Sequence, residues 1–241
     1  VKCIRISEFC HDAELKISIK ELDGSGSTVD ILFEGVCKRV KIPLLGKYNI
    51  YNTISAFAVC AVLSGKDRAF GSVGKRTSVP GRLEQVGGEA IFVDYAHSPD
   101  ALENVLKTVR ELNIFKKVIT VFGAGGDRDR GKRPLMGEVA TRYSDIVILT
   151  DDNPRSEDPD KIIMDVMAGC NPAKSVIEVI NNRSEAIKRA ISIKTKEDAL
   201  IVAGKGAENY QITHEGKRFF SDREEIEKYL KELHNVHNST D

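Results

Sequence analysis

The 241-residue sequence has no excess of either charge: 36 lysines and arginines balance 36 aspartates and glutamates, for a formal net charge of zero. That argues against a bulk electrostatic partner, so neither nucleic acid nor an anionic membrane surface is expected as a ligand. No apolar run approaches membrane-spanning length. The longest, Ala56 to Leu63, reads as a core helix, and no membrane insertion is expected. The five cysteines, Cys3, Cys10, Cys37, Cys60 and Cys170, are odd in number and lack any CxxC pairing. Free thiols in a reducing cytoplasm are the expectation. Cys10-His11 suggests a metal site, but no second ligand pair follows at zinc spacing. There is no secretion signal and no internal repeat. The first residue is Val, not Met, so the start reads as a processing boundary or a fragment edge.

The first part of the chain reads as β-rich. Glu14 to Ile19 alternates polar and apolar, Asp23 to Ser27 is turn material, Thr28 to Phe33 alternates again, and Arg39 to Pro43 is a third short strand. A helix is predicted from Asn52 or Thr53, either of which can cap it, to Gly65. The glycine-rich stretch Gly71 to Gly81 reads as a domain junction. After it, strands are predicted at Ala90–Asp94, Lys117–Phe122, Ile146–Thr150, Ser175–Ile180 and Ala199–Ala203. Helices are predicted at Pro99–Leu112, Pro134–Arg142, Pro159–Met167, Ser184–Ile193 and Asp222–Leu233. This alternation implies an α/β fold, a mostly parallel sheet with helices on both faces. The polar tail, His234 to Asp241, is expected to fray.

Chemistry concentrates where predicted strands end, the place where open α/β sheets bind ligands. Ile146 to Leu149 empties into Thr150-Asp151-Asp152-Asn153-Pro154-Arg155. Arg155 offers a planar fork that matches a carboxylate, and a nearby Asp can take an ammonium, which together suit a free amino acid. A turn whose Asp and Arg merely face water is the bland alternative. Asp94-Tyr95-Ala96-His97-Ser98 supplies a carboxylate, an aromatic face and an imidazole before a helix N-terminus, suited to a nucleotide or to capping plus a structural His.

The run Gly123 to Pro134 fails as a dinucleotide fingerprint, because Arg128 stands where the third Gly is needed. It fails as a P-loop too, since Arg133 replaces the Ser or Thr that binds magnesium. What remains is a glycine turn presenting Arg128, Arg130, Lys132 and Arg133 to an anion, or a solvated charged loop. Ala203 to Tyr210 adds glycines for close backbone approach and Glu208 as an ammonium acceptor. Upstream, Asn49 and Asn52 suit a purine edge or capping, and Arg82 suits a phosphate or a surface ion pair.

The ordered set GKYNIYN, PGRLE, VDYAHSPDAL, FGAGGDRDRGKRPLMG, DNPR and AGKGAENYQ closely resembles the Mur ligase family of ATP-dependent peptidoglycan-precursor enzymes. It covers nearly the whole chain from about Leu44 onward. DNPR is the feature of the branch that adds meso-diaminopimelate; lysine-adding relatives differ there. The resemblance implies that residues 79–241 form the C-terminal, Rossmann-like amino-acid-binding domain. Residues 1–78 would be the second half of the central ATP-binding domain. It implies that Arg128, Asp152, Asn153, Pro154, Arg155, Gly204 and Glu208 contact diaminopimelate. Asn49, Asn52, Arg82, Asp94, Tyr95 and His97 would lie near ATP. Implied cofactors are ATP and Mg2+, the other substrate is a UDP-linked muramoyl dipeptide, and the expected state is a monomer.

The sequence also departs from the family pattern. The P-loop with its Lys and Thr, the magnesium-binding acid and His positions, the carbamylated lysine and the UDP-holding domain are absent from this chain. Ala207 stands where the family commonly has His. The expectation is therefore a truncated ligase that does not turn over alone. A non-catalytic amino-acid-binding module, a structural role, a lysine-type ligase and a nicotinamide-dependent oxidoreductase are the alternatives, the last disfavoured by the failed fingerprint.

Overall fold

The computed structural model describes residues 3–75 and 78–238. The chain divides into two compact units, Val1–Val79 and Pro80–Asp241. Part of the Gly71–Gly81 stretch, Arg76 and Thr77, lies outside the described residues, as does the end of the tail, 239–241.

In the first unit, β1 (Ile6–Ser7) runs parallel to β2 (Leu15–Asp23), which forms an antiparallel meander with β3 (Gly26–Phe33) and β4 (Val36–Ile42). Period-two alternation puts Leu15, Ile17, Val29, Ile31 and Phe33 on one face. They pack against Ile50, Ile54, Phe57, Ala58 and Ala61 of α1 (Lys47–Ser64), and against Ala69 and Phe70 of α2 (Lys66–Ser72). The helix predicted from Asn52 or Thr53 starts earlier, at Lys47, with Gly46 as its cap and no side-chain cap bond. The buried stripe explains the difference: Ile50 belongs to the same face as Ile54 and Phe57, so the core requires one more turn. The run Ala56 to Leu63 is only half core. A continuous apolar run on a helix must point both ways, and Val59, Val62 and Leu63 are exposed.

In the second unit a six-stranded sheet has the order β5 (Glu84–Gln85), β6 (Ile91–Asp94), β10 (Ala199–Ala203), β7 (Val118–Phe122), β8 (Ile146–Leu149), β9 (Val176–Val179). All pairings are parallel except β5 with β6. The expected mostly parallel α/β sheet is therefore present. On one face, Ile91, Val93, Ile119, Val121, Ile148, Leu200 and Val202 pack against α6 (Arg183–Ile193) and α7 (Asp222–Asn238). The alternate residues turn to the other face, covered by α3 (Pro99–Glu111), α4 (Lys132–Tyr143) and α5 (Pro159–Met167), which pack side by side.

The five predicted strands and five predicted helices of this unit all form, with ends shifted by a few residues. The largest shift is at α7, which runs on to Asn238 rather than fraying at His234. Polar residues without Gly or Pro do not end a helix. A hairpin of β11 (Tyr210–Thr213) and β12 (Gly216–Phe219) was not foreseen, because β12 is exposed throughout and shows no apolar alternation.

The last sheet strand, β10, inserts between β6 and β7. This is a topological switch point, and it brings the loops after β6, β10, β7 and β8 to one edge of the sheet. With its own two-faced core, the segment from Pro80 to Leu233 is expected to fold when expressed alone. A single cooperative thermal transition checks this, and its absence would count against the boundary.

Candidate active site

The four adjacent loops enclose a cavity of about 400 Å³. Tyr95 and His97 follow β6, and Gly125, Arg128, Lys132 and Arg133 follow β7. Asp152, Asn153 and Arg155 follow β8, and Gly204, Glu208 and Tyr210 follow β10. Six of the seven residues expected to contact an amino acid therefore line one space. Pro154 does not; it is buried, and its backbone packs against Gly126.

Close backbone approach builds this wall. A Cβ on Gly126 would collide with the Pro154 carbonyl, while the Gly126 amide donates to the Asn153 carbonyl at 2.9 Å. Gly204, at φ 118°, would place a Cβ 2.6 Å from Asp152 Oδ2. The hairpin clamps the β8 loop from the other side. The Arg155 amide donates to the Ile212 carbonyl (3.0 Å), the Ile212 amide to Asn153 Oδ1 (2.9 Å), and Gln211 Nε2 to the Asp152 carbonyl (2.9 Å). Gln211 is in turn held by Arg218, which donates to its Oε1 at 2.6 Å.

The cavity carries both charges. Arg155 Nη1 donates to the Gly126 carbonyl at 2.6 Å, so loop carbonyls fix that side of the fork. Its Nε and Nη2 have no partner among the described residues, and Arg128 and Lys132 lie on the same wall. Asp152 and Glu208 line the same cavity, with Asn153 Nδ2 donating to Glu208 Oε2 at 3.3 Å.

Of the four cations expected to face an anion, only Arg128 and Lys132 keep that freedom. Arg133 is buried and spends its Nη groups on Glu157 (2.7 and 2.9 Å) and Asp165 (2.9 Å), and Arg130 also pairs with Asp165. Acids on and before α5 neutralise them, and Arg133 holds Glu157 at a pKa of about 2.

Sequence reasoning missed Lys205, Arg183 and Gln211. Lys205 is fully buried, with Nζ 3.3 Å from Asp152 Oδ1, and donates to Asn153 Oδ1 (3.1 Å) and the Tyr210 carbonyl (2.9 Å). Its place between two glycines after a strand was a signal. Arg183 is buried too, forked onto Asp222 (2.7 and 2.8 Å) and donating to the Ala203 carbonyl, which fixes the end of β10. Nothing in the sequence separates it from a solvent-facing helix-start arginine.

The residues expected near a nucleotide lie in both units. In the first, Asn49 is buried, with Nδ2 bonded to the Leu45 carbonyl at 2.8 Å, and Asn52 is exposed on α1. In the second, Arg82 lies 5.1 Å over the Tyr95 ring, and the His97 ring meets Tyr95 edge-on. Arg82 and Tyr95 open onto a second hollow of about 410 Å³ that shares Tyr95, Glu208 and Tyr210 with the first. Asp94 is committed elsewhere. Its oxygens accept from the Leu83 and Ala96 amides at 2.6 and 2.8 Å, so it shapes the loop rather than offering a free carboxylate.

Asp151 points away from this cavity and is less comfortable. Burial and then the Asp160 charge push its pKa up to about 6, against the pull of Arg183 and Arg218. A carboxyl with a raised folded pKa contributes stability that is complete below its unfolded pKa and lost as pH rises through about 6. Asp151→Asn is therefore expected to raise the melting temperature at pH 8 by a few degrees, with the gain vanishing as pH falls below about 4. Melting curves across that range check it; a gain that grows toward low pH would contradict the assignment.

A family described as "Mur ligase, glutamate ligase domain" matches residues 81–206. UDP-N-acetylmuramoyl-L-alanyl-D-glutamate–2,6-diaminopimelate ligase 1 of Clostridium acetobutylicum is 41% identical over 231 residues, covering 92% of this chain and 46% of that protein. A solved structure of a ligase with the same diaminopimelate name is 35% identical at a TM-score of 0.69, over 95% of this chain and 47% of the other. The Mycobacterium tuberculosis folylpolyglutamate synthase, solved with ADP and AMPPCP, shares the fold at 20% identity, a TM-score of 0.66 and coverage of 80% and 46%. The chain thus spans about half the length of the relatives it matches. The match takes in three of the four strand-end loops and the glycines that open the fourth, and the chain belongs to the Mur ligase family.

Proposed function

We propose that this chain is the amino-acid-accepting part of an ATP-dependent ligase that joins meso-diaminopimelate to UDP-N-acetylmuramoyl-L-alanyl-D-glutamate. The observation that carries the reading is that one cavity is lined by both guanidinium groups, Arg155 and Arg128, and carboxylates, Asp152 and Glu208. An amino-acid terminus carries a carboxylate and an ammonium on one carbon, and this arrangement meets both. The names of the 35–41% identical relatives support the choice of diaminopimelate.

In this reading ATP phosphorylates the D-glutamate side-chain carboxylate, giving an acyl phosphate. The free amine at the other end of diaminopimelate attacks it, and the tetrahedral intermediate collapses with loss of phosphate. Fixing one terminus in the cavity presents the other to the acyl phosphate, which replaces a chance encounter by a positioned one. Lys132, on the cavity wall, offsets charge at the phosphoryl group. Arg82, Tyr95 and His97 are the candidates for nucleotide contact in the second unit, and Asn49 and Asn52 are separate candidates in the first. Among the described residues no three His, Cys, Asp or Glu cluster to hold a metal, so Mg2+ is assigned no ligands here. The unit Pro80–Asp241 is read as the C-terminal ligase domain, and Val1–Val79 as part of the ATP-binding domain.

Two outcomes follow. Arg155→Ala removes a fork held ready for a carboxylate, and losing such a charged contact costs roughly 2–3 kcal/mol, on the order of a hundredfold in affinity. Calorimetric titration should show that loss for diaminopimelate; an unchanged affinity would rule Arg155 out as the carboxylate contact. The second outcome concerns turnover. The chain contains no GxxxxGK[ST] sequence to cradle the β- and γ-phosphates. Incubated alone with ATP, magnesium, diaminopimelate and the UDP-linked dipeptide, it should release no phosphate; turnover that needs every substrate would contradict this.

A further inference from the structure

Asp152 and Asn153 face the cavity but do not set their own orientation. An ammonium has three protons, and Lys205 directs them to the Asp152 carboxylate, Asn153 Oδ1 and the Tyr210 carbonyl. Its side chain is 0% exposed, and its protons are spent on the protein, so it cannot itself meet a ligand. What it does is decide which way its neighbours point. With Oδ1 drawn to Lys205 and the Ile212 amide, the Asn153 side chain must turn Nδ2 toward Glu208. That bond draws Glu208 toward the β8 loop, on the same side of the cavity as Asp152.

The charges point the same way. Around Lys205 two carboxylates, Asp152 at 3.3 Å and Glu208 at 4.0 Å, face one cation. One negative charge is left over, which a single ligand ammonium balances. Without Lys205 the surplus doubles and the cation-sized space behind Asp152 opens, so the carboxylate is free to turn inward.

We propose that Lys205 is a positioning residue that creates the ammonium subsite by locking Asp152, Asn153 and Glu208 into one arrangement. The proposal deepens the amino-acid reading above and rests on it. It also separates two kinds of selectivity: Arg155 reports on the carboxylate, whereas Lys205 governs only the part of the affinity that comes from the ammonium.

The test compares meso-diaminopimelate with pimelate, which has the same carbon chain and carboxylates and no amine. Both are titrated into the 241-residue chain and into Lys205→Met and Lys205→Ala. The wild type should favour diaminopimelate by at least tenfold. Both variants should keep a cooperative thermal transition and bind pimelate within threefold of wild type, while the preference falls toward one. Propylammonium replaces the atoms missing from Lys205→Ala, so it should restore the preference, and the neutral isostere propanol should not. Equal losses of both ligands, or loss of the transition in both variants, would make Lys205 a folding residue and overturn the proposal. An undiminished preference in the variants would overturn it too, leaving the amino-acid reading intact. Absence of the preference in wild type would instead refute that underlying reading.

Discussion

The ammonium of Lys205, sealed under the carboxyl edge of the sheet, is the contact on which the rest of the site depends. Burying an ion costs several kcal/mol unless charge and hydrogen bonds surround it. Here the compensation comes from the β8 loop through Asp152 and Asn153, and from the start of the hairpin through Tyr210. Meeting that demand closes the two loops onto each other. Arg183 does the same one layer deeper, tying the end of β10 to the first residue of α7 through Asp222.

Topology makes this possible. Because β10 returns between β6 and β7, a loop late in the chain lies beside loops formed more than fifty residues earlier. The glycines at 126 and 204 then let backbones touch where side chains would hold them apart. The result has a fixed polarity. Guanidinium groups anchored on carbonyls lie toward the β7 side, and carboxylates anchored on buried cations lie toward the β10 side.

Much of the second unit was legible because its signals are local. Apolar β-branched runs such as Ile146 to Leu149 and helix openings at Pro99 and Pro159 act within a few residues. The loops carried their chemistry on their face, and Arg155, Asp152 and Glu208, singled out by residue type, line one cavity. Harder to see were features whose cause lies elsewhere in the chain. Whether Arg133 meets a ligand or Glu157 is decided by α5, and whether Asp94 is free is decided by the amides of Leu83 and Ala96. The start of α1 was misplaced for the same reason: capping chemistry pointed to Asn52, whereas the core demanded Ile50. The hairpin escaped because its stability comes from clamping the β8 loop, not from its own residue pattern.

The central claim is that one space between four loops holds an amino acid by its charged terminus. Amide chemical-shift mapping of the ¹⁵N-labelled chain during titration with meso-diaminopimelate tests it most directly. The account predicts saturable shifts concentrated at residues 125–128, 152–155 and 204–210, with the amides of the first unit little affected. Shifts confined to other surfaces, or none up to saturating ligand, would contradict it.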